Sequence, residues 1–374
     1  IPVFCYHPKL KPVGACRMCF VQIEKIPGVV TACTTTVNDG MIVNTQHPAA
    51  IKAQNGVIEF LLANHPLDCP VCDKGGECPL QDNTFGYGKG ESRFIEPKRH
   101  YVKPIPLSKY ILLDRERCIL CYRCVRFQNE IAVDETLTVI NRGASSEIGT
   151  LPGREFDSPF SGNTIEICPV GALTSAKYRF KARPWDIRST ASVCDHCSVG
   201  CNVRIDVRNH QIARLLSREN TPVDDGWLCD RGRFGYDFVN RADRLAHPMV
   251  RDAGATAPSS LRPTTWRMAL ERAARGLQAA VERYGPEAVG VLISPRQTNE
   301  ELYLAQKFAR EILGTPNVDH RLTPHPTVAP LPFDAATGSI AGLEQSKVIL
   351  LVEADPLNEQ PVLDLRIKKA KNRG

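Results

Sequence analysis

The sequence predicts an α+β front half built around clustered cysteines, followed by an α/β domain. Two observations carry this expectation. All fifteen cysteines lie at or before Cys229, and the final 145 residues have none. Beyond that point, strand-like and helix-like patterns alternate, the arrangement expected of a parallel sheet covered by helices. With 374 residues and 43% hydrophobic side chains, there is material for two or three buried cores at about 150 residues per domain.

Composition narrows the function classes. An odd number of cysteines cannot all pair as disulfides, and their clustering marks one functional region. No apolar h-region opens the chain, and runs such as VILLV at 348–352 fall far below the roughly twenty residues a membrane span needs. A soluble chain in a reducing cytoplasm is therefore expected. The net charge of +6 comes from 47 basic and 41 acidic residues without a long like-charge run, so the charges read as a solvated surface with no nucleic-acid stripe. Ile1 is not a start methionine, IPVFCYH reads as a strand end entering a loop, and RIKKAKNRG ends in helical character. A fragment with incomplete terminal domains is expected.

The cysteines fall into four groups. The first is Cys5, Cys16, Cys19 and Cys33, spaced C-x10-C-x2-C-x13-C, where GACRMCFVQIE runs from a small-residue loop into a strand-like alternation. A 2Fe–2S cluster needs four thiolates and a backbone that folds tightly round its sulfides; Gly14 and Ala15 permit that approach. The ten-residue first gap is longer than the four of plant-type ferredoxins. The second group, Cys69, Cys72 and Cys78, lies in HPLDCPVCDKGGECPL. It follows a helical pattern (Ile51, Val57, Ile58, Leu61, Leu62) that Pro66 ends. Four sites would need sixteen ligands, and fifteen cysteines leave one short in this group. His65 is the nearest donor, with Asp68 and Asp73 as alternatives, and an imidazole in place of a thiolate raises a cluster's potential.

The third group is RCILCYRC, Cys118, Cys121 and Cys124, with Cys168 of EICPVGAL as its distant partner. C-x2-C-x2-C with a separate Cys-Pro is the bacterial 4Fe–4S signature. The fourth group is Cys194, Cys197 and Cys201 of CDHCSVGC, completed by Cys229 of DGWLCDRGRFG. Alone, its spacing also suits structural zinc; three neighbouring cluster-type groups favour 4Fe–4S.

Downstream, Trp266, Ala269, Leu270, Ala273, Leu277 and Val281 form a helical stripe ended by Gly285 and Pro286. AVGVLI follows as a buried strand. Thr298 and Glu301 form a capping box for a helix closing at Gly314, and KVILLV at 347–352 is a further strand.

Together, IPVFCYH, GACRMC, HPLDCPVCDKGGECPLQD, RCILCYRC and EICPVGALT resemble the large iron-sulfur subunit of bacterial NADH:quinone oxidoreductase, complex I, in its N-terminal portion. The segments ISPRQTNEELYLAQKFAR, NVDHRLTPHPT and ADPLNEQPVLDLRIKKAKNRG resemble molybdopterin oxidoreductases. The resemblance implies a plant-type 2Fe–2S ferredoxin-like domain (1–45), a His/Cys3 4Fe–4S region (46–86), a ferredoxin-like 4Fe–4S region (87–186), a molybdopterin-oxidoreductase-type 4Fe–4S domain (187–245) and an incomplete α/β domain (246–374). It further implies one 2Fe–2S and three 4Fe–4S clusters, a histidine ligand that maps onto His65, and a fourth cluster lying off the main electron route. The implied partners are a flavin- and NADH-binding subunit and other hydrophilic-arm subunits. The implied location is peripheral, on the cytoplasmic face of the plasma membrane.

Two enzyme alternatives share this front end. An NAD-linked formate dehydrogenase would carry a thiol or selenol ligand for molybdenum after an NVDH-like stretch, whereas Arg321, Leu322, Thr323, Pro324 and His325 offer none. A hydrogenase would need cysteines beyond Cys229. A multi-zinc nucleic-acid scaffold would need a basic stripe with interleaved aromatics. Electron relay without molybdenum is the expectation.

Overall fold

A computed structural model describes residues 1–251, 261–320 and 338–373. It divides into two units: Ile1–Cys194 with Cys201–Tyr236 and Gly338–Gly374, and Asp195–Gly200 with Asp237–Thr337.

The first unit opens with β1 (Phe20–Ile23), which pairs antiparallel with both β2 (Val30–Thr31) and β3 (Val43–Asn44). Val21 and Ile23 turn inward while Phe20 and Gln22 are half-buried, the period-two pattern of a strand with one face on a core. Helix α1 (Pro48–Ala63) starts with proline at its first position, where no intrahelical donor is lost. Its buried Gln54 amide donates to the Phe20 carbonyl (2.8 Å), tying α1 to β1. Helix α2 (Pro79–Tyr87) begins directly after Cys78.

Next comes an antiparallel sheet of β4 (Ile105–Pro106), β5 (Ile111–Leu113) and a later strand, β5 lying in the middle. Helix α3 (Arg123–Phe127), the hairpin of β6 (Leu137–Ile140) and β7 (Glu147–Thr150), and helix α4 (Asn163–Ile167) precede that third strand, β8 (Leu173–Ser175). A second antiparallel sheet follows, with β10 (Asn202–Arg208) between β9 (Arg188–Val193) and β11 (Gln211–Ser217); then comes helix α5 (Asp230–Phe234). One apolar core joins Phe4, Met18, Ile58, Leu80, Ile111, Leu113, Leu137 and Phe156 with Cys78, Cys124 and Cys168. One core therefore holds thiols from both the second and third groups, although Cys69 of the second is exposed.

In the second unit, β12 (Met249–Arg251) pairs antiparallel with β13 (Leu261–Pro263). Helix α6 (Trp266–Tyr284) is N-capped by the Thr265 hydroxyl, which accepts from the Met268 amide. The expected stripe on α6 is present in sequence but only partly covered: Ala269, Leu277 and Val281 are half-buried, while Trp266 (70%) and Leu270 (62%) are exposed. The AVGVLI strand contracts to β14 (Val291–Leu292). Helix α7 (Asn299–Lys307) carries the expected capping box, Glu301 N donating to Thr298 Oγ1 (3.2 Å) and Thr298 N to Glu301 Oε2 (2.9 Å). It continues as a π-turn to Gly314, whose φ of 69° favours a residue without Cβ. The β14 strand then pairs parallel with β15 (Val318–Asp319), in keeping with the expected parallel sheet. KVILLV is not a strand. No neighbouring strand among the described residues satisfies its backbone, and Val348 (86%) and Leu350 (83%) face outward.

The chain returns to the first unit with α8 (Pro356–Glu359) and α9 (Pro361–Arg373). Val362 and Leu365 of α9 are buried, the Arg366 guanidinium pairs with buried Glu344, and Lys369 Nζ reaches Asp225 Oδ2 (2.8 Å).

Ile58 of α1 is 1% exposed in the main core whereas Phe60, two residues on, is 85% exposed. Ile58→Ala should lower stability by about 2–5 kcal/mol. Phe60→Ala should stay within about 0.5 kcal/mol. Denaturant midpoints for the two variants check the difference.

Candidate metal centres

The first donor set is drawn together by backbone contacts. The Cys5 amide donates to Cys16 Sγ (3.3 Å), and the Ala32 amide donates to the Cys19 carbonyl (3.0 Å), which brings the turn carrying Cys33 against Cys19. Gly14 makes the close approach with φ 61°; a Cβ there would stand 3.1 Å from Thr34 Cγ2. The hydrogen bond between them holds the Cys5 thiol below its usual range and Cys16 above it, and burial beside Cys19 pushes Cys33 up to about 11.

The second set rings a cavity of about 240 Å³, lined by His65, Cys69, Cys72 and Cys78 together with Leu62, Leu80, Arg117 and Gly171. Three donors come from the loop Cys69–Cys78 and the fourth from just beyond the end of α1, the His65 amide donating to the Leu62 carbonyl (3.2 Å). Two glycines make the walls: a Cβ on Gly75 would lie 2.7 Å from the Cys69 carbonyl, and one on Gly171 would lie 2.1 Å from Cys72 Sγ. Both alternatives to His65 have other polar partners, although Asp68 lines the same cavity. Asp68 binds Lys103 (2.7 Å) and Arg117 (2.8 Å), and Asp73 accepts from the Phe180 amide (2.9 Å). Burial, then the charges of Arg117 and Lys98, hold His65 near 4, so its imidazole is neutral and has a free lone pair at neutral pH.

In the third set, Leu120 (φ 49°) and Tyr122 (φ 59°) curl the loop through Cys118, Cys121 and Cys124 into α3, and Cys168 caps the end of α4. Burial pushes Cys118 and Cys121 up to about 12 and Cys124 well above its ordinary value, with Cys168 adding repulsion in each case. Such crowded thiols resist ionising together unless a positively charged centre draws their charge.

In the fourth set, the Cys194 amide donates to the Cys201 carbonyl (2.8 Å) and the Cys229 sulfur caps α5 by accepting from the Gly232 amide (3.4 Å). A Cβ on Gly232 would stand 3.1 Å from Cys194 Sγ, so Cys194 and Cys229 share that corner. Cys197 lies on the Asp195–Gly200 turn of the second unit. None of the fifteen cysteines is in a disulfide. Among the described residues, no three His, Cys, Asp or Glu side chains converge on a single-ion site.

The donor sets fit iron–sulfur groups in their chemistry: soft sulfur donors, one cavity far larger than a single ion, and buried polar atoms without protein partners beside the third set, including both amide atoms of Gln128 and Nε of Arg123 and Arg126. Spacing pointed to the cysteines and His65. It did not point to Gly75, Gly171, Arg117, Arg123 or Arg126, whose roles come from segments far away in sequence.

Five family models match along the chain: 2Fe-2S iron-sulfur cluster binding domain (1–48), NADH-ubiquinone oxidoreductase-G iron-sulfur binding region (54–93), NADH-quinone oxidoreductase subunit 3, ferredoxin-like domain (108–174), Molybdopterin oxidoreductase Fe4S4 domain (187–241) and Molybdopterin oxidoreductase (244–374). The chain is 47% identical over 393 residues to the G subunit of NADH-quinone oxidoreductase from Streptomyces coelicolor, covering 99% of this chain and 45% of the relative. It is 46% identical over 382 residues to the protein of the same name in Mycobacterium bovis (100% and 46% covered). It is 40% identical over 376 residues to the mitochondrial NADH-ubiquinone oxidoreductase 78 kDa subunit of Neurospora crassa (99% and 49% covered). The chain thus spans about half the length of the curated relatives it matches. An NAD+-reducing [NiFe]-hydrogenase structure in its H2-reduced state aligns with TM-score 0.44 and 27% identity, covering 49% of this chain and 78% of that one.

His7, stacked on Trp227 at 5.8 Å, is also held near 4, by burial and then by Arg123 and Lys9. Unfolded, His7 and His65 each take up a proton around 6.5; folded, only around 4. The unfolded chain therefore binds more protons across that window, and stability is lost as pH falls from about 6.5 towards 4. Melting temperatures should decline through this range, and His7→Gln should flatten the decline; an unaltered slope in the variant would remove His7 from the explanation.

Proposed function

We infer, from the chain's membership of the family formed by the G subunits of NADH-quinone oxidoreductase, that it is an electron relay. Electrons from NADH enter through FMN on a partner subunit, pass along this chain and leave toward quinone. Proton translocation takes place in other subunits. The observation that carries this reading is that His65, Cys69, Cys72 and Cys78 line one cavity.

Four donor sets are proposed: Cys5, Cys16, Cys19 and Cys33 for a 2Fe–2S group, and three 4Fe–4S sets. These three are His65 with Cys69, Cys72 and Cys78; Cys118, Cys121, Cys124 and Cys168; and Cys194, Cys197, Cys201 and Cys229. The division at 1–45, 46–86, 87–186, 187–245 and 246–374 follows these sets. When bound, iron–sulfur groups supply sites that take and give single electrons. The chain's own residues do the rest. Core side chains pack round Cys78, Cys124 and Cys168, Arg117 places positive charge beside Cys72 while remaining paired with Asp68 and Asp114, and Gly75 and Gly171 leave room where a side chain would push the donors aside.

A molybdenum site is not part of this reading. The stretch Arg321–Thr327, where a soft ligand would stand, contains no thiol; it lies outside the described residues. The proposed setting is peripheral, on the cytoplasmic face of the plasma membrane, held there through a flavin- and NADH-binding subunit and other hydrophilic-arm subunits. Among the described residues, no helix is long and apolar enough to cross a membrane.

Chain purified anaerobically should be brown and hold iron with acid-labile sulfide. In His65→Ala the EPR signal of the second set should disappear or convert while the other signals persist. Zinc in place of iron would overturn the relay reading, and four unchanged signals in the variant would move the sixteenth ligand away from His65.

A further inference from the structure

Helix α3 carries Cys124 of the third set, and the two arginines on either side of that cysteine reach back to the first. The Arg126 guanidinium donates to the carbonyls of Cys5 and Lys11. The Arg123 guanidinium donates to the Tyr6 carbonyl and to the Ile167 carbonyl (3.2 Å), one residue before Cys168. The Lys11 amide adds a third tie by donating to Glu130 Oε2 (2.8 Å), so the segment Cys5–Lys11 is pinned to α3 and the turn that follows it.

Every acceptor of these two guanidinium groups is a neutral carbonyl. Neither arginine has a carboxylate partner among the described residues, and the Nε atoms of both are buried without any acceptor. Other arginines near the donor sets differ: Arg117 is matched by Asp68 and Asp114, and Arg214 by Glu77 and Asp206. Withdrawing a charge from water is costly unless an opposite charge answers it. The negative groups that Arg123 feels are the sulfurs of Cys121, Cys168 and Cys5, and Arg126 lies beside Cys5.

We infer that Arg123 and Arg126 are positioning residues that serve the first and third donor sets together. They lock the Cys5 loop against the Cys124 helix, and they are the counter-charges of the thiolate-bound groups on either side. This rests on the iron–sulfur reading above. Fixed positive charge favours the form carrying the extra electron, so it raises the reduction potential of both groups and lessens the repulsion between them when both are reduced. Arg123, which faces sulfurs of both sets, acts on both; Arg126, hydrogen-bonded to the Cys5 carbonyl, acts chiefly on the first.

The test uses the assembled complex, with Arg123→Gln, Arg126→Gln, Arg123→Lys and Arg126→Lys compared with the parent. Iron and sulfide are counted, and dithionite titrations are followed by EPR. Arg123→Gln should shift the midpoints of both groups to more negative values, Arg126→Gln should shift the first more than the third, and the lysine variants should titrate close to the parent. Fully loaded glutamine variants with parental midpoints would overturn the inference. If the glutamine variants fail to load, recovery of loading and midpoint in the lysine variants supports the counter-charge, and lysine variants that do no better than glutamine overturn it. Parent complex without iron in this chain would overturn the relay reading itself, which is a different outcome from parental signals that the variants leave unmoved.

Discussion

The constraint on which the first unit depends is the burial of many thiols in one apolar core. Cys78, Cys124 and Cys168 pack among Phe4, Met18, Ile58 and Leu113, and burial pushes the thiols of Cys78 and Cys124 upward. An ionised thiolate in such surroundings needs positive charge close by. In the proposed relay, iron supplies most of that charge and arginines supply the remainder. The same burial that makes the donors hard to ionise alone keeps water away from the redox groups they would hold.

The packing around one candidate set bears on the next. Gly171, three residues after Cys168 of the third set, forms the wall against Cys72 of the second. Cys78 Sγ contacts the Pro169 carbonyl (3.7 Å). Phe127 and Trp227, with ring centroids 4.8 Å apart, join the helix of Cys124 to the loop of Cys229 in a second apolar cluster that also holds Leu365 of α9. A backbone shift at one site therefore reaches its neighbour through close-packed atoms.

Much of the candidate site was legible in the sequence because its cysteines recur at short spacings, and because the count of fifteen left His65 as the expected sixteenth donor. The cavity is lined by both His65 and Asp68 with Cys69, Cys72 and Cys78, Asp68 being paired with Arg117 and Asp73 accepting from the Phe180 amide. Helix ends were legible for a similar reason: the Thr298–Glu301 box and Gly314 act through contacts within a few residues. Partners brought together only by folding were not. Arg123 and Arg126 look like ordinary helix cations until α3 meets the Cys5 loop. KVILLV has the composition of a buried strand, yet a strand exists only where a neighbour accepts its hydrogen bonds.

The central claim about the proposed donor sets is that His65 nitrogen binds the group held by Cys69, Cys72 and Cys78. Pulsed EPR on reduced complex carrying 15N-labelled histidine addresses that bond directly. Coordination by His65 requires strong nitrogen coupling on one 4Fe–4S signal, changed in frequency by the label and absent from His65→Cys. Spectra in which no 4Fe–4S signal carries a histidine nitrogen coupling would contradict it.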